Sequence, residues 1–235
     1  MNYKRIFAMA VLLCSFAIGL QAQETPEFGY LLGGTNGKVK VSGFGAYTIG
    51  FSQYDGNLAV YNGGGGAVLL NQTVYFGLYG TGLSTRHKQS DFMITAPDNT
   101  LINYDNVVTT FGHGGFWIGY IHDSYKPIHF GASTKIGWGS IGLTHDYYEY
   151  NYDTYDSYLI VDDHVFVLTP QLEMEMNLLR WFKINASAGY QIVSGVSSSY
   201  VDEFGVKQNF FENKDFSQPV FNLSFVFGGF GSRRN

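Results

Sequence analysis

The sequence predicts an all-β fold: an eight-stranded antiparallel transmembrane up-and-down β-barrel. Three observations lead there: an export signal, period-2 alternation in long apolar stretches, and short connections that alternate with long ones. Composition agrees. Only 14% of the 235 residues are charged, against about 25% in an average soluble domain. Gly fills 30 positions, Phe 20 and Tyr 18. Disordered chains run the other way, poor in aromatics and rich in charge. A net charge of -5 offers no electrostatic footprint for nucleic acid.

The N-terminus sets the compartment. Lys4 and Arg5 precede an apolar run from Ile6 to Leu20, which is followed by Gln21, Ala22 and Gln23. A positive start, an apolar middle and a small residue at the cut make a secretory signal peptide, cleaved after Ala22. The run falls short of the ~20 residues that a spanning helix needs. Cys14, the one cysteine, lies inside the signal behind Leu13, where a lipoprotein site would want a small residue. Its loss leaves no disulfide and no thiolate chemistry. The expected organisation is a signal peptide at 1–22, an N-terminal periplasmic segment at 23–37 and a barrel at 38–235.

Each strand follows from alternation. The first sets Val39, Val41, Tyr47, Ile49 and Phe51 against Lys40, Ser42 and Thr48. Strands two to four run from about Val60 to Leu70, Thr73 to Ser84 and Val107 to Ile121. Gly63 to Gly66, Gly112, Gly114 and Gly115 blur their facing. The fifth opposes Ile128, Phe130, Ala132, Ile136 and Trp138 to His129, Ser133 and Lys135. The sixth opposes Phe166, Leu168, Leu172, Met174 and Met176 to Gln171, Glu173 and Glu175. Pro170 is a misfit there, since a closed sheet has no free edge to host it, and it should mark a bulge or a local gap in hydrogen bonding. The seventh sets Phe182, Ile184, Ala186, Ala188, Tyr190 and Ile192 against Lys183, Asn185 and Gln191. The eighth sets Phe221, Leu223, Phe225 and Phe227 against Asn222, Ser224 and Val226.

Connections then alternate in length. Asn71-Gln72, Asp123 to Pro127 and Asn177 to Trp181 are short. Thr85 to Asn106, His145 to Asp163 and Ser194 to Asp215 are long, and Gln53 to Ala59 is a short outer loop. Short periplasmic turns and long outer loops give this pattern in outer-membrane barrels. In lipid only a closed barrel satisfies the backbone of a sheet. Tyr47, Phe51, Trp138, Trp181, Phe182 and Phe227 lie near strand ends, where interfacial girdles form.

On these features, with the Gly-rich hairpins (Gly63 to Gly82, Gly112 to Gly142) and the Phe-rich closing strand, the chain resembles a known family. It looks like the small porin-like outer-membrane β-barrels of Gram-negative bacteria, the OmpA/OmpX type, over Lys38 to Phe230. The resemblance implies a fold and an outer-membrane location. The usual terminal aromatic is displaced here, because the chain continues past Phe230.

Candidate chemistry is sparse. The inward face offers Lys40, Lys135 and Lys183 with Glu173 and Glu175, and isolated charges inside a membrane are expected to pair. Glu175 and Lys183 flank the turn centred on Leu179 with matching parity, so they are expected to face each other. The segment from His145 to Asp163 interleaves Tyr with acidic residues. Tyr148, Tyr150, Tyr152, Asp153 and Tyr155 make it a candidate contact surface for a partner protein or sugar rings; the plainer reading is a solvated hairpin extension. His122 and His129 flank a turn with only Asp123 beside them, too thin a set for a metal. Ser84 with His87, and Ser133 with His129, are the nearest nucleophile–base pairs. Four residues on a strand span ~13 Å, so the second pair cannot bond directly. The expected protein is not an enzyme and carries no cofactor. Its partners are outer-membrane lipid and other outer-membrane proteins, and its role is structural or interactive, as an accessory subunit of a larger complex. A narrow passive pore for small solutes is the alternative.

Overall fold

The computed structural model describes residues 39–88, 92–95, 98, 100–104, 107–149, 154–202 and 204–230. Eight antiparallel strands close into a ring: β1 Val41–Tyr54, β2 Asn57–Leu70, β3 Val74–Leu83, β4 Val107–His122, β5 Ile128–Glu149, β6 Thr154–Leu179, β7 Phe182–Tyr190 and β8 Pro219–Gly228. Each pairs with its neighbour in sequence, and β8 returns to β1. The 1–38 segment, with the expected signal and periplasmic stretch, lies outside the described residues.

Alternation dictates which side chains enter the barrel. On β6 the odd positions from Val161 to Glu175 are buried, whereas Phe166, Leu172, Met174 and Met176 are exposed. The same rule, which follows from the two-residue pleat, resolves the three glycine-blurred strands. Ala59, Tyr61, Ala67 and Leu69 point inward on β2, Tyr75 and Tyr79 on β3, and Phe111, His113, Trp117 and Ile121 on β4. Outward stand Val68, Phe76, Leu78, Phe116 and Ile118. At the short-turn end Trp181, Phe182 and Phe227 gather on the outer wall, with ring centroids 5.1 to 6.2 Å apart.

Pro170 marks a gap and no bulge. Its strand β6 pairs with β7 up to Gly189 and resumes at Ile192–Ser194 in unchanged register. The missing rungs lie opposite Thr169 and Pro170, where proline has no N–H to offer. Gln191 satisfies its own N–H on the Gln218 carbonyl.

One expected outer loop is corrected, and another takes the form of the plainer of its two readings. Gln53 to Ala59 is a tight turn, since β1 runs to Tyr54 and β2 starts at Asn57. Asp55 and Gly56 both take positive φ, 48° and 74°, which suits the right-handed twist of a two-residue hairpin. The segment from His145 to Asp163 is mostly strand. β5 and β6 continue past the ring as a hairpin, with Tyr148 opposite Tyr155 and Tyr147 opposite Asp156 in the register.

Apolar side chains fill the long-loop end. Tyr54, Tyr61, Phe111, Ile141, Leu143 and Val167 pack with Phe211 and Phe216 from the last loop. That loop folds inward on the short helix Asn213–Phe216. Another anchor is Asp163, which accepts hydrogen bonds from Ser197 Oγ (3.1 Å), Ser198 Oγ (2.8 Å) and the Ser198 N–H. A second apolar cluster, Leu69, Tyr75, Tyr79, Trp117 and Ile121, is joined by Phe44 and Phe230.

Candidate functional site

Polar side chains meet where inward positions of β3, β5, β6 and β7 converge. Lys183 Nζ donates to Glu175 Oε2 at 3.0 Å, and His129 Nε2 reaches the same oxygen at 2.9 Å. Asn185 Nδ2 bridges the two carboxylates, 3.3 Å from Glu175 and 3.2 Å from Glu173. Glu173 also accepts from the Tyr75 hydroxyl (3.0 and 3.1 Å), Ser133 Oγ (2.5 Å) and Gln171 Nε2 (2.9 Å). Trp117 Nε1 donates to Ser133 Oγ at 3.3 Å. Burial without partners would cost these groups several kcal/mol each (roughly, by transfer data), and the network answers that demand.

Glu173, Glu175 and Lys183 thus sit together in one network. Lys135 does not touch it through an ion pair: its ammonium lies 5.4 Å from the ring centroids of Tyr79 and Trp117. Lys40 is placed elsewhere. It has inward parity, but it precedes the first paired residue, Val41, and its side chain is exposed at the short-turn end. What holds it is its backbone, which donates to Asn71 Oδ1 at 2.9 Å.

Tyr75, Ser133, Gln171, Asn185 and His129 belong to this network beyond the charged residues expected from the sequence. Strand parity already put Ser133, Gln171, Asn185 and His129 on the charged face. Only the cross-strand register, His129 opposite Glu175 and Asn185 opposite Glu175, says which of them meet.

Other candidates separate. His122 points outward, with Nε2 3.5 Å from Asp123 Oδ2, whereas His129 points inward. Lys126 Nζ, 2.6 Å from Asp123, holds that carboxyl below its ordinary range. Ser84 Oγ accepts from Asn62 Nδ2 while His87 bonds Thr85, and Ser133 bonds Glu173. Neither serine touches its candidate base. Of the contact-surface residues, Tyr148 and Tyr155 are register partners, and Tyr150, Tyr152 and Asp153 lie outside the described residues.

No family model and no curated protein sequence matches the chain. Among solved structures it is similar to Ail, the attachment invasion locus protein of Yersinia pestis. The structure of Ail with the heparin analogue sucrose octasulfate is 12% identical, over 80% of this chain and 96% of that one, with a TM-score of 0.38. A second Ail structure is 13% identical, over 80% and 95%, with a TM-score of 0.35.

Proposed function

We propose that this chain is a non-enzymatic outer-membrane β-barrel, exported through a cleaved signal peptide, that presents its long loops as a contact surface. In this reading it serves as an accessory subunit of a larger outer-membrane complex. One observation carries the membrane reading: the barrel is inside-out. Leu172 is 71% exposed and Phe130 63%, whereas Lys183 is 1% and Glu173 3% exposed. A soluble barrel would bury the apolar face and wet the charged one. The outward positions of β1 to β4, β7 and β8 carry no Asp, Glu, Lys or Arg, as a wall in hydrocarbon requires.

The packed lumen speaks for presentation over conduction. An eight-stranded barrel is just wide enough for its own side chains, and here one apolar cluster fills the long-loop end while a second packs against the ionic network through Tyr75 and Trp117. The contact role rests on the hairpin that β5 and β6 extend, with Tyr148, Tyr150, Tyr152, Asp153 and Tyr155 as its candidate residues. Rows of Tyr make large, fairly rigid, amphipathic surfaces.

Affinity purification from membranes in mild detergent, with mass spectrometry of what co-purifies, tests the proposal. A stoichiometric outer-membrane partner, lost when Tyr148, Tyr150 and Tyr152 are replaced by Ser, is the expected result. Recovery of the barrel alone would contradict the accessory role, and recovery from the soluble fraction would contradict the membrane reading.

A further inference from the structure

Charge inside the barrel is uneven, and His129 makes it so. Its Nδ1 lies 3.0 Å from the Lys126 carbonyl oxygen and its Nε2 2.9 Å from Glu175 Oε2. A carbonyl only accepts. Glu175 accepts as well, because Lys183 and Asn185 both donate to it. Each ring nitrogen therefore carries a hydrogen, and a histidine with two is a cation.

The network and its surroundings then hold three cations, His129, Lys135 and Lys183, against two carboxylates, Glu173 and Glu175. Glu175 touches two of the cations. Glu173 is engaged by the neutral donors of Tyr75, Ser133, Gln171 and Asn185, and it acts on Lys135 only through space. Asp163, the other buried carboxylate among the described residues, sits six positions beyond Thr169 on β6, ~20 Å away along the strand, and is consumed by Ser197 and Ser198. Lys135 is left as a half-buried ammonium facing aromatic rings, with no carboxylate in contact with it.

A cavity of about 30 Å³ opens beside it, lined among others by Lys135, His113, Thr169, Tyr79 and Gln191. That is room for one or two waters or one halide-sized ion. Two buried polar atoms in its lining, His113 Nε2 and Thr169 Oγ1, have no hydrogen-bond partner. His113 Nδ1 is 3.0 Å from the Tyr79 hydroxyl. With Tyr79 donating there, Nε2–H turns to the cavity as a donor. The ammonium and the threonine hydroxyl add further donors. Unused donors and one unbalanced positive charge select an anion over a cation.

We propose that this cavity binds one small monovalent inorganic anion, of chloride size, held by Lys135, His113 and Thr169. The site lies between the two packed clusters of the lumen, which supply Tyr61, Tyr79 and Trp117 to its lining, and refolding with the ion present loads it.

The chain is refolded from urea into detergent micelles in sodium bromide, moved into sodium gluconate, and its bromine counted by elemental mass spectrometry. Retention of about one bromide per chain is expected, matching the room available. Lys135→Met should bring it to background, and Thr169→Val should lower it. Background bromine in the wild type, or equal retention in Lys135→Met, overturns the proposal. If Lys135→Met does not refold, anomalous scattering from wild-type crystals grown in bromide decides: a peak beside Lys135 supports the site, and its absence overturns it.

Discussion

Lys183 and Glu175 stand on opposite sides of the Arg180-Trp181 turn, and their side chains meet at 3.0 Å inside the barrel. The lysine side chain is 2% exposed and the glutamate 7%. Water cannot take over for a missing partner at that depth. Glu175→Gln should therefore lower stability by about 3–5 kcal/mol, because it strands Lys183 and His129 as uncompensated cations. Urea unfolding in lipid vesicles measures it. The double variant Glu175→Leu with Lys183→Met should lose less than the single. A loss below about 1 kcal/mol in Glu175→Gln would mean the pair is solvated.

Phe216 and Asp163 are two of the anchors of the last loop, and the first can be cut. Phe216 is 2% exposed and packs on Tyr54, Phe111 and Phe211 at centroid separations of 5.0 to 5.4 Å. Phe216→Ala should cost about 3–5 kcal/mol locally, enough to release the loop while the ring of strands survives. Limited proteolysis of the folded protein should then nick the 195–218 region. Wild-type resistance would show that the hydrogen bonds of Asp163, Gln191 and Val193 hold the loop without Phe216.

Two glycines separate close approach from open space. A methyl group on Gly139 would collide with the Gly112 carbonyl and the His113 backbone, whereas one on Gly80 meets nothing within 4 Å. Gly139→Ala should impair refolding, and Gly80→Ala should change stability by no more than about 0.5 kcal/mol. Refolding yield, read by the heat-dependent gel shift of a closed barrel, compares them. Equal yields would contradict the inward packing of Gly139.

Acid should undo one turn of the last loop. Asp202 accepts the Val206 and Phe204 N–H groups, at 2.8 and 3.0 Å, and these hold its carboxyl below the ordinary range. A depressed carboxyl contributes order that is full above the unfolded value, about 3.9, and is lost as pH falls through the folded one. Amide shifts of Val206 and Phe204 should hold steady from neutral pH to about 4 and change below it. Titration near neutrality would contradict this.

How much of this was legible depends on side chains. Strands β1 and β5 to β8 declare their facing, because Phe, Ile and Met alternate with Lys, Glu and Asn. Strands β2 to β4 conceal it, since glycine shows no preference for either face; Gly64 and Gly65 look the same in the sequence and lie on opposite sides of the wall. Lys40 shows the limit of parity, which gives direction and says nothing about where a strand begins. The Asp55-Gly56 turn carried a readable signal in its own two residues. The ionic network was half legible: Glu175 and Lys183 share a hairpin, and local spacing relates them. Tyr75 and Glu173 are 98 residues apart, and only ring closure brings them together.

Which face meets lipid is the central claim, and the three tryptophans report on it. Trp117 is buried inside the barrel at 5% exposure, and Trp138 stands on the outer wall at 56%. Variants retaining only one of these, refolded into vesicles with brominated acyl chains, should differ: Trp138 fluorescence is quenched strongly and Trp117 scarcely. Quenching of Trp117 with Trp138 spared, or quenching of neither, would contradict the membrane-spanning barrel.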